Sequence, residues 1–190
     1  MPKSRQTILN AAKTCFLQHG YQATNVSMIS RYADISRVTI HKQFGSKEDL
    51  FRAVIEEHCH MENMLSDELL AQDSSCWQKL AQLLKAWANP LFNDIEQELI
   101  RNELLFAGRK YCEDLIIKHR NDNIAQISAL LNDAVQGDEI QLQSLQMTIT
   151  EFAELIEINF KGLFMAHNQA PIDLLIDNNI RLYARATKIN

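Results

Sequence analysis

Apolar residues recur at intervals of three and four along most of the chain, the spacing of a buried helical face. Over residues 4–19 that face is Ile8, Leu9, Ala12, Cys15 and Phe16. Ser4 is placed to cap the start of this helix. Gly20 stands where a closing residue in the left-handed conformation is wanted. Thr24 or Asn25 caps a short second helix through about Ala33, with Val26, Ile29 and Ala33 turned inward. Asp34-Ile35-Ser36 is a tight break, and a third helix runs from about Arg37 to Phe44. Gly45-Ser46 stops it and starts a fourth, with Ser46 as N-cap and Glu48 and Asp49 at the positive end of the helix dipole. Leu50, Phe51, Val54, Ile55, His58, Met61 and Leu65 hold its stripe for four turns.

The pattern predicts further helices at about 75–88, 92–107, 110–135, 140–166 and 172–188. They are punctuated by Asp73-Ser74-Ser75, Asn89-Pro90, Gly108, Gly137-Asp138 and Ala170-Pro171. Helix 140–166 is apolar on two sides. Leu145, Ile149, Phe152, Ile156, Phe160 and Leu163 form one stripe, and Met147, Leu155, Ile158 and Met165 the other. Such a helix is buried more deeply than one layer allows, and Gly162 permits a neighbour's close approach. The last helix, with Leu174, Leu175, Ile176, Ile180, Leu182, Tyr183 and Ala186, is similar. The pair suggests a four-helix bundle across a two-fold axis. Phe152, Ile156, Phe160, Leu163, Leu175 and Leu182 are its candidate dimer residues, and burial within one subunit is the other reading.

Composition supports an all-α fold of about nine helices. Of 190 residues 46% are apolar, enough for a sizeable core, and 5 Gly with 3 Pro are too few for a turn-rich β-protein. The polar start, Met-Pro-Lys-Ser-Arg-Gln, carries no secretory signal, and no apolar run is long enough to span a membrane. Cys15, Cys59, Cys76 and Cys112 form no CxxC pair and are expected to be free thiols. His58-Cys59-His60 lacks metal geometry, because residues two apart on a helix point in different directions. No metal and no cofactor is expected. The chain lacks GxGxxG, GxxxxGK, GxSxG and HExxH, which argues against an enzyme.

Charge changes the picture more. The net charge is −5, yet residues 1–52 carry eight Lys/Arg against three Asp/Glu, and the remainder 11 against 21. A basic head on an acidic body suits a one-ended DNA binder. Two short helices meeting at a three-residue turn, braced by a longer first helix, are a helix-turn-helix. Ala33, Ile35 and Ile40 pack inside it, while Arg37, Thr39, His41 and Lys42 face out for a major groove.

Residues 5–51 resemble the DNA-binding head of TetR/AcrR regulators. The pattern reads Arg5, Ile8-Leu9, Ala11-Ala12, Phe16, Gly20-Tyr21, Thr24, Ile29, Ala33, Ile35-Ser36, Thr39-Ile40, Phe44 and Ser46-Lys47-Glu48-Asp49-Leu50-Phe51. Asp34, Val38 and His41 depart from it, where the family has Gly, a small residue and Tyr. The resemblance implies a DNA-binding head at 1–48 and a helical effector-binding and dimerisation body at 49–190. It also implies base-edge contacts from Arg37, Val38, Thr39 and His41, and phosphate contacts from Thr24, Ser27, Lys42 and Lys47. The whole would be a cytoplasmic homodimer on pseudo-palindromic double-stranded operator DNA. A small-molecule effector would release it from that operator. His58, Trp87, Glu103, Phe106, Arg109 and Tyr111 are candidate effector contacts, with Glu103 and Arg109 orienting a polar group, although an aromatic stripe is also what plain core looks like. A DNA-bound adaptor that docks a protein partner, with no effector, is the alternative.

Overall fold

The computed structural model describes residues 3–92, 95, 97–165 and 170–189, with side chains for 5–88, 95, 97–163 and 170–189. Among them it is all-helical: α1 (Lys3–Ala23), α2 (Val26–Ala33), α3 (Arg37–Phe44), α4 (Lys47–Leu70), α5 (Cys76–Phe92), α6 (Glu98–Tyr111), α7 (Glu113–Gln136), α8 (Ile149–Met165) and α9 (Ile172–Ala186), with a 3₁₀ turn at Gln143–Leu145. The predicted cap Ser4 and the stripe residue Met165 lie outside the described side chains.

Packing divides the chain into two compact units, one of Met1–Met61 with Pro90–Ile117, the other of Glu62–Asn89 with Lys118–Asn190. In the first, α1 packs on α2 and α6. Its core holds the predicted Ile8, Leu9, Ala12, Cys15, Phe16, Ile29, Ala33, Ile40, Phe44, Leu50 and Phe51, and adds Ala107 and Cys112. The aromatic rings interlock there, Phe16 and Tyr21 each 5.0 Å from Phe51, and Tyr21 4.9 Å from Tyr111. A functional division after residue 48 thus does not coincide with the division by packing. In the second unit the core runs through Leu80, Leu83, Leu84, Trp87, Ile127, Leu131, Phe152, Ile156, Phe160, Ile176 and Tyr183.

Several starts follow the local chemistry. The Asn25 side chain accepts the amide of Met28, and Ser36 accepts that of Thr39. Ser46 Oγ accepts the amide of Asp49 while Asp49 accepts the amide of Ser46, a reciprocal cap. Ser75 with Gln78 and Thr148 with Glu151 repeat the device at α5 and α8.

Three expectations are corrected. Helix 140–166 begins only at Ile149, because Thr148 and Glu151 cap it there; buried Ile140 and Leu142 pack from a loop, not a helix. Gly108 lies inside α6, and the break comes at Cys112. Gly20 has positive φ but is not left-handed helical: at φ 77°, ψ 173° it is an extended kink, after which the chain continues in helical turn to Ala23. Cys15, Cys76 and Cys112 are free thiols and all three are buried, while Cys59 is half-buried. Burial pushes Cys76 up to about 12 and Cys112 to about 11.

Candidate nucleic-acid interface

Residues Val26 to Phe44 form the helix-turn-helix. Asp34 takes the left-handed conformation (φ 53°, ψ 41°), and its N–H closes α2 onto the Ser30 carbonyl. Asp reaches this conformation more readily than most residues with a Cβ, so the departure from glycine leaves the turn intact. Ser30 Oγ donates to the Ile35 carbonyl at 2.6 Å and locks the turn. Ile40 and Phe44 bury the inner face of α3, while Arg37, Val38, His41, Lys42 and Gln43 remain exposed. Val38 is 78% exposed, an apolar side chain held in solvent by a helix whose other face is its anchor.

Each predicted contact residue has a definite place. Arg37 donates through Nη1 to Ser27 Oγ at 3.3 Å, so these two exposed side chains lie side by side across the turn. Thr39 is half-buried, its hydroxyl 2.9 Å from the Ser36 cap. His41 Nδ1 is 2.8 Å from the Gly45 carbonyl. A carbonyl only accepts, so this nitrogen carries the hydrogen, and in the neutral ring Nε2 is left as an outward acceptor. Lys42 is exposed.

Thr24 and Lys47 have main-chain partners within the head. Thr24 is fully buried, with its hydroxyl 2.6 Å from the Gly20 carbonyl and 3.0 Å from that of Cys15. Its side chain therefore braces the α1–α2 loop and cannot reach a phosphate. Lys47 is half-buried. Its Nζ donates to the Tyr21 carbonyl at 2.9 Å and the Thr24 carbonyl at 3.0 Å, and sits 4.2 Å from the centre of the Tyr21 ring. Lys47 thus joins the start of α4 to the same loop. Two further side chains of this unit are braces of the same sort, Glu103, expected as an effector contact, and Arg52, which the sequence reading passed over. Glu103 accepts the Gln22 amide at 2.6 Å, and Arg52 reaches the Tyr111 carbonyl and both oxygens of Asp114.

The candidate effector contacts divide between the two units. His58, Glu103, Phe106, Arg109 and Tyr111 belong to the first unit and Trp87 to the second. Glu103 holds a main-chain amide, Tyr111 lies tilted against the Tyr21 ring, and Phe106 is 68% exposed. Trp87 is core, its Nε1 donating to Ser66 Oγ at 3.0 Å. An open depression of about 510 Å³ beside Arg5, Phe44 and Asp49, and another of about 560 Å³ beside Ile140, Gln143 and Thr148, contain none of the six.

The dimer candidates differ in exposure. Phe152, Ile156 and Phe160 are buried within their own unit, Leu163 and Leu175 are half-buried, and only Leu182 is exposed, by 62%. The outward apolar side chains are those of the second stripe, Leu155 and Ile158, with Leu174 on α9. A methyl on Gly162 would meet nothing within 4 Å.

The second unit also holds a buried polar set that the sequence reading passed over. His119, Asn123 and Gln126 lie at i, i+4 and i+7 on α7; His119 pairs with Glu62 of α4 at 2.8 Å, and the adjacent Arg120 pairs with Glu157 of α8 at 3.0 Å. The signal was there, polar residues at helical spacing beside an otherwise apolar stripe, but from sequence alone it reads as a solvated face.

Among the described residues no group of His, Cys, Asp or Glu is arranged to hold a metal ion, and no helix is long and apolar enough to cross a membrane. The geometry defines the class: a helix-turn-helix protein with a helical body. Residues 8–54 match the family of bacterial regulatory proteins, tetR family. Similar curated proteins include the transcriptional repressor AcnR of Corynebacterium glutamicum, 37% identical over 36% of this chain and 37% of the relative. The transcriptional repressor BdcR of Escherichia coli is 31% identical over 40% and 39%. The chain thus covers well under half the length of these relatives. A solved transcriptional regulator from Cytophaga hutchinsonii has the same fold, with TM-score 0.75 at 15% identity over 97% of this chain and 98% of that one. The similarity to the tetR family thus lies in residues 8–54, the head that carries the helix-turn-helix.

Proposed function

We propose that the protein is a dimeric transcriptional regulator, a repressor that a small-molecule effector releases from pseudo-palindromic operator DNA. The observation that carries this reading is α3, a helix buried on Ile40 and Phe44 that projects Arg37, Val38, His41 and Lys42 into solvent beside Ser27. In a major groove Arg37 would read guanine through two N–H bonds. The His41 Nε2 acceptor suits an exocyclic amine. Lys42 and Ser27 hold phosphates, and Lys47, with two of its N–H groups on carbonyls, places the remaining one and the positive end of α4 toward the backbone. The dimer reading rests on outward Leu155, Ile158, Leu174 and Leu182, which cost free energy in water unless a second subunit covers them. Two heads so joined engage successive major grooves about 34 Å apart, and the effector favours a conformer whose heads are wrongly spaced.

The test is selection of genomic fragments by the purified full chain at a recorded salt concentration. A pseudo-palindrome with half-sites one helical turn apart is expected. Weak, salt-sensitive binding without sequence preference would sink the reading.

A further inference from the structure

Side-chain contacts in the second unit close a circuit through four helices. Glu62 of α4 pairs with His119 of α7 at 2.8 Å. Ser66, one turn along α4, accepts Nε1 of Trp87 on α5 at 3.0 Å, and the Trp87 ring lies 5.9 Å from that of Phe160 on α8. Glu157, one turn back on α8, accepts Nε of Arg120 at 3.0 Å, which returns the path to α7 next to His119.

Asn123 stands one turn beyond both His119 and Arg120 and so faces the same side as the two pairs. It is fully buried, and neither its carboxamide oxygen nor its nitrogen has a hydrogen-bond partner among the described residues. The same holds for Oε1 of Glu157, itself 1% exposed, for His119 Nδ1, for Gln126 Oε1 and for Asn63 Oδ1. Burying polar atoms unpaired is unfavourable, and apolar side chains of similar size would fill the space without that penalty. A set held this way has free hydrogen-bonding capacity that a polar ligand can complete.

The unpaired atoms are mostly acceptors: four oxygens, one of them on a buried carboxyl group, against a single amide nitrogen and one imidazole nitrogen that takes either role. The Trp87 ring supplies an aromatic surface at the circuit's edge. An anion or a plain acyl chain would leave these oxygens unsatisfied, whereas charged N–H donors satisfy them and are favoured beside a carboxylate and an aromatic face. We propose that this cluster binds a small organic cation with several N–H donors, an amine or guanidino compound, held chiefly by Asn123, Gln126 and Glu157. The proposal rests on the reading that the body receives a small-molecule effector, and it supplies the chemical class.

The experiment is titration calorimetry and thermal unfolding of the full chain with agmatine and 1,4-diaminobutane, using hexanoate and 1,4-butanediol as controls. The amines alone are expected to bind and to raise the midpoint. Glu157→Gln and Asn123→Leu should each weaken amine binding about tenfold or more. Asn123→Leu should not lower the midpoint of the unliganded protein, because it removes unpaired groups and keeps the volume. Absence of amine binding, binding that both variants retain, or a large loss of midpoint in unliganded Asn123→Leu would each overturn the proposal. Operator binding separates the two readings. If amines bind but leave operator affinity unchanged, the site stands and the effector reading fails. If a compound of another class releases the operator, and releases Glu157→Gln equally, the effector reading stands and this site falls.

Discussion

At Gly20 the backbone occupies φ 77°, ψ 173°, a region essentially closed to residues with a Cβ. An added methyl would also stand 2.6 Å from a carboxylate oxygen of Glu103. Gly20→Ala is therefore expected to lower stability by about 1–3 kcal/mol; an unchanged denaturant midpoint would show that the kink relaxes. Asp114 presents a second test. The Arg52 guanidinium, hydrogen-bonded to it, holds its carboxyl below the ordinary 3.8, at about 2. A depressed folded value adds stability above the unfolded pKa and loses it as pH falls through the folded one. The gap between wild type and Asp114→Asn should accordingly be present at pH 7 and vanish between about pH 4 and pH 2. It should also be small and salt-sensitive, since both side chains are partly in water. A gap that persisted at pH 2 would assign the effect to packing.

At the scale of elements, α3 and the start of α4 divide the labour of the head. Under the proposed function, Arg37→Ala should cost about 1–3 kcal/mol at the true operator and relax base preference, with folding unchanged, since Arg37 lies on the surface. Lys47→Ala should weaken binding to all sequences and reduce the salt slope by about 1. It should also lower the unfolding midpoint, because Lys47 ties two loop carbonyls to α4. Binding curves on operator and random DNA, with a melt beside each, separate these roles. Equal losses on random DNA, or a Lys47→Ala protein as stable as wild type, would contradict the division. The elements themselves were legible where polar chemistry is local: Asn25, Ser36 and Ser46 each cap the helix that follows. The start of α8 was misplaced because apolar spacing at Leu142 and Leu145 fits a packed loop as well as a helix, and only the Thr148–Glu151 cap decides between them.

For the whole molecule, the exposed stripe of α8 and α9 is the surface on which the proposed dimer rests. Ile158→Glu and Leu182→Glu are expected to leave a folded monomer by sedimentation, while Phe152→Ala should cost about 3–5 kcal/mol of fold stability, as truncation of a buried aromatic does. If the two Glu variants stay in the wild-type association state, the dimer lies elsewhere.

By itself the sequence determined that the chain is helical, where the breaks around α2, α3 and α4 fall, and which side chains of α3 point outward, because caps, breaks and helical periodicity are set by neighbours within one turn. Tertiary structure decided the rest. Thr24 and Lys47 carry the residue types of phosphate contacts, yet the Thr24 hydroxyl meets the Gly20 and Cys15 carbonyls of α1, and Lys47 reaches back to those of Tyr21 and Thr24. Helix α8 has two apolar stripes of equal quality, and only the packing of α5, α7 and α9 selects which one is covered. The Asn123 cluster shares its spacing with a solvated face, and burial alone distinguishes the two. In each case the deciding partner lies on another element, beyond the reach of local pattern.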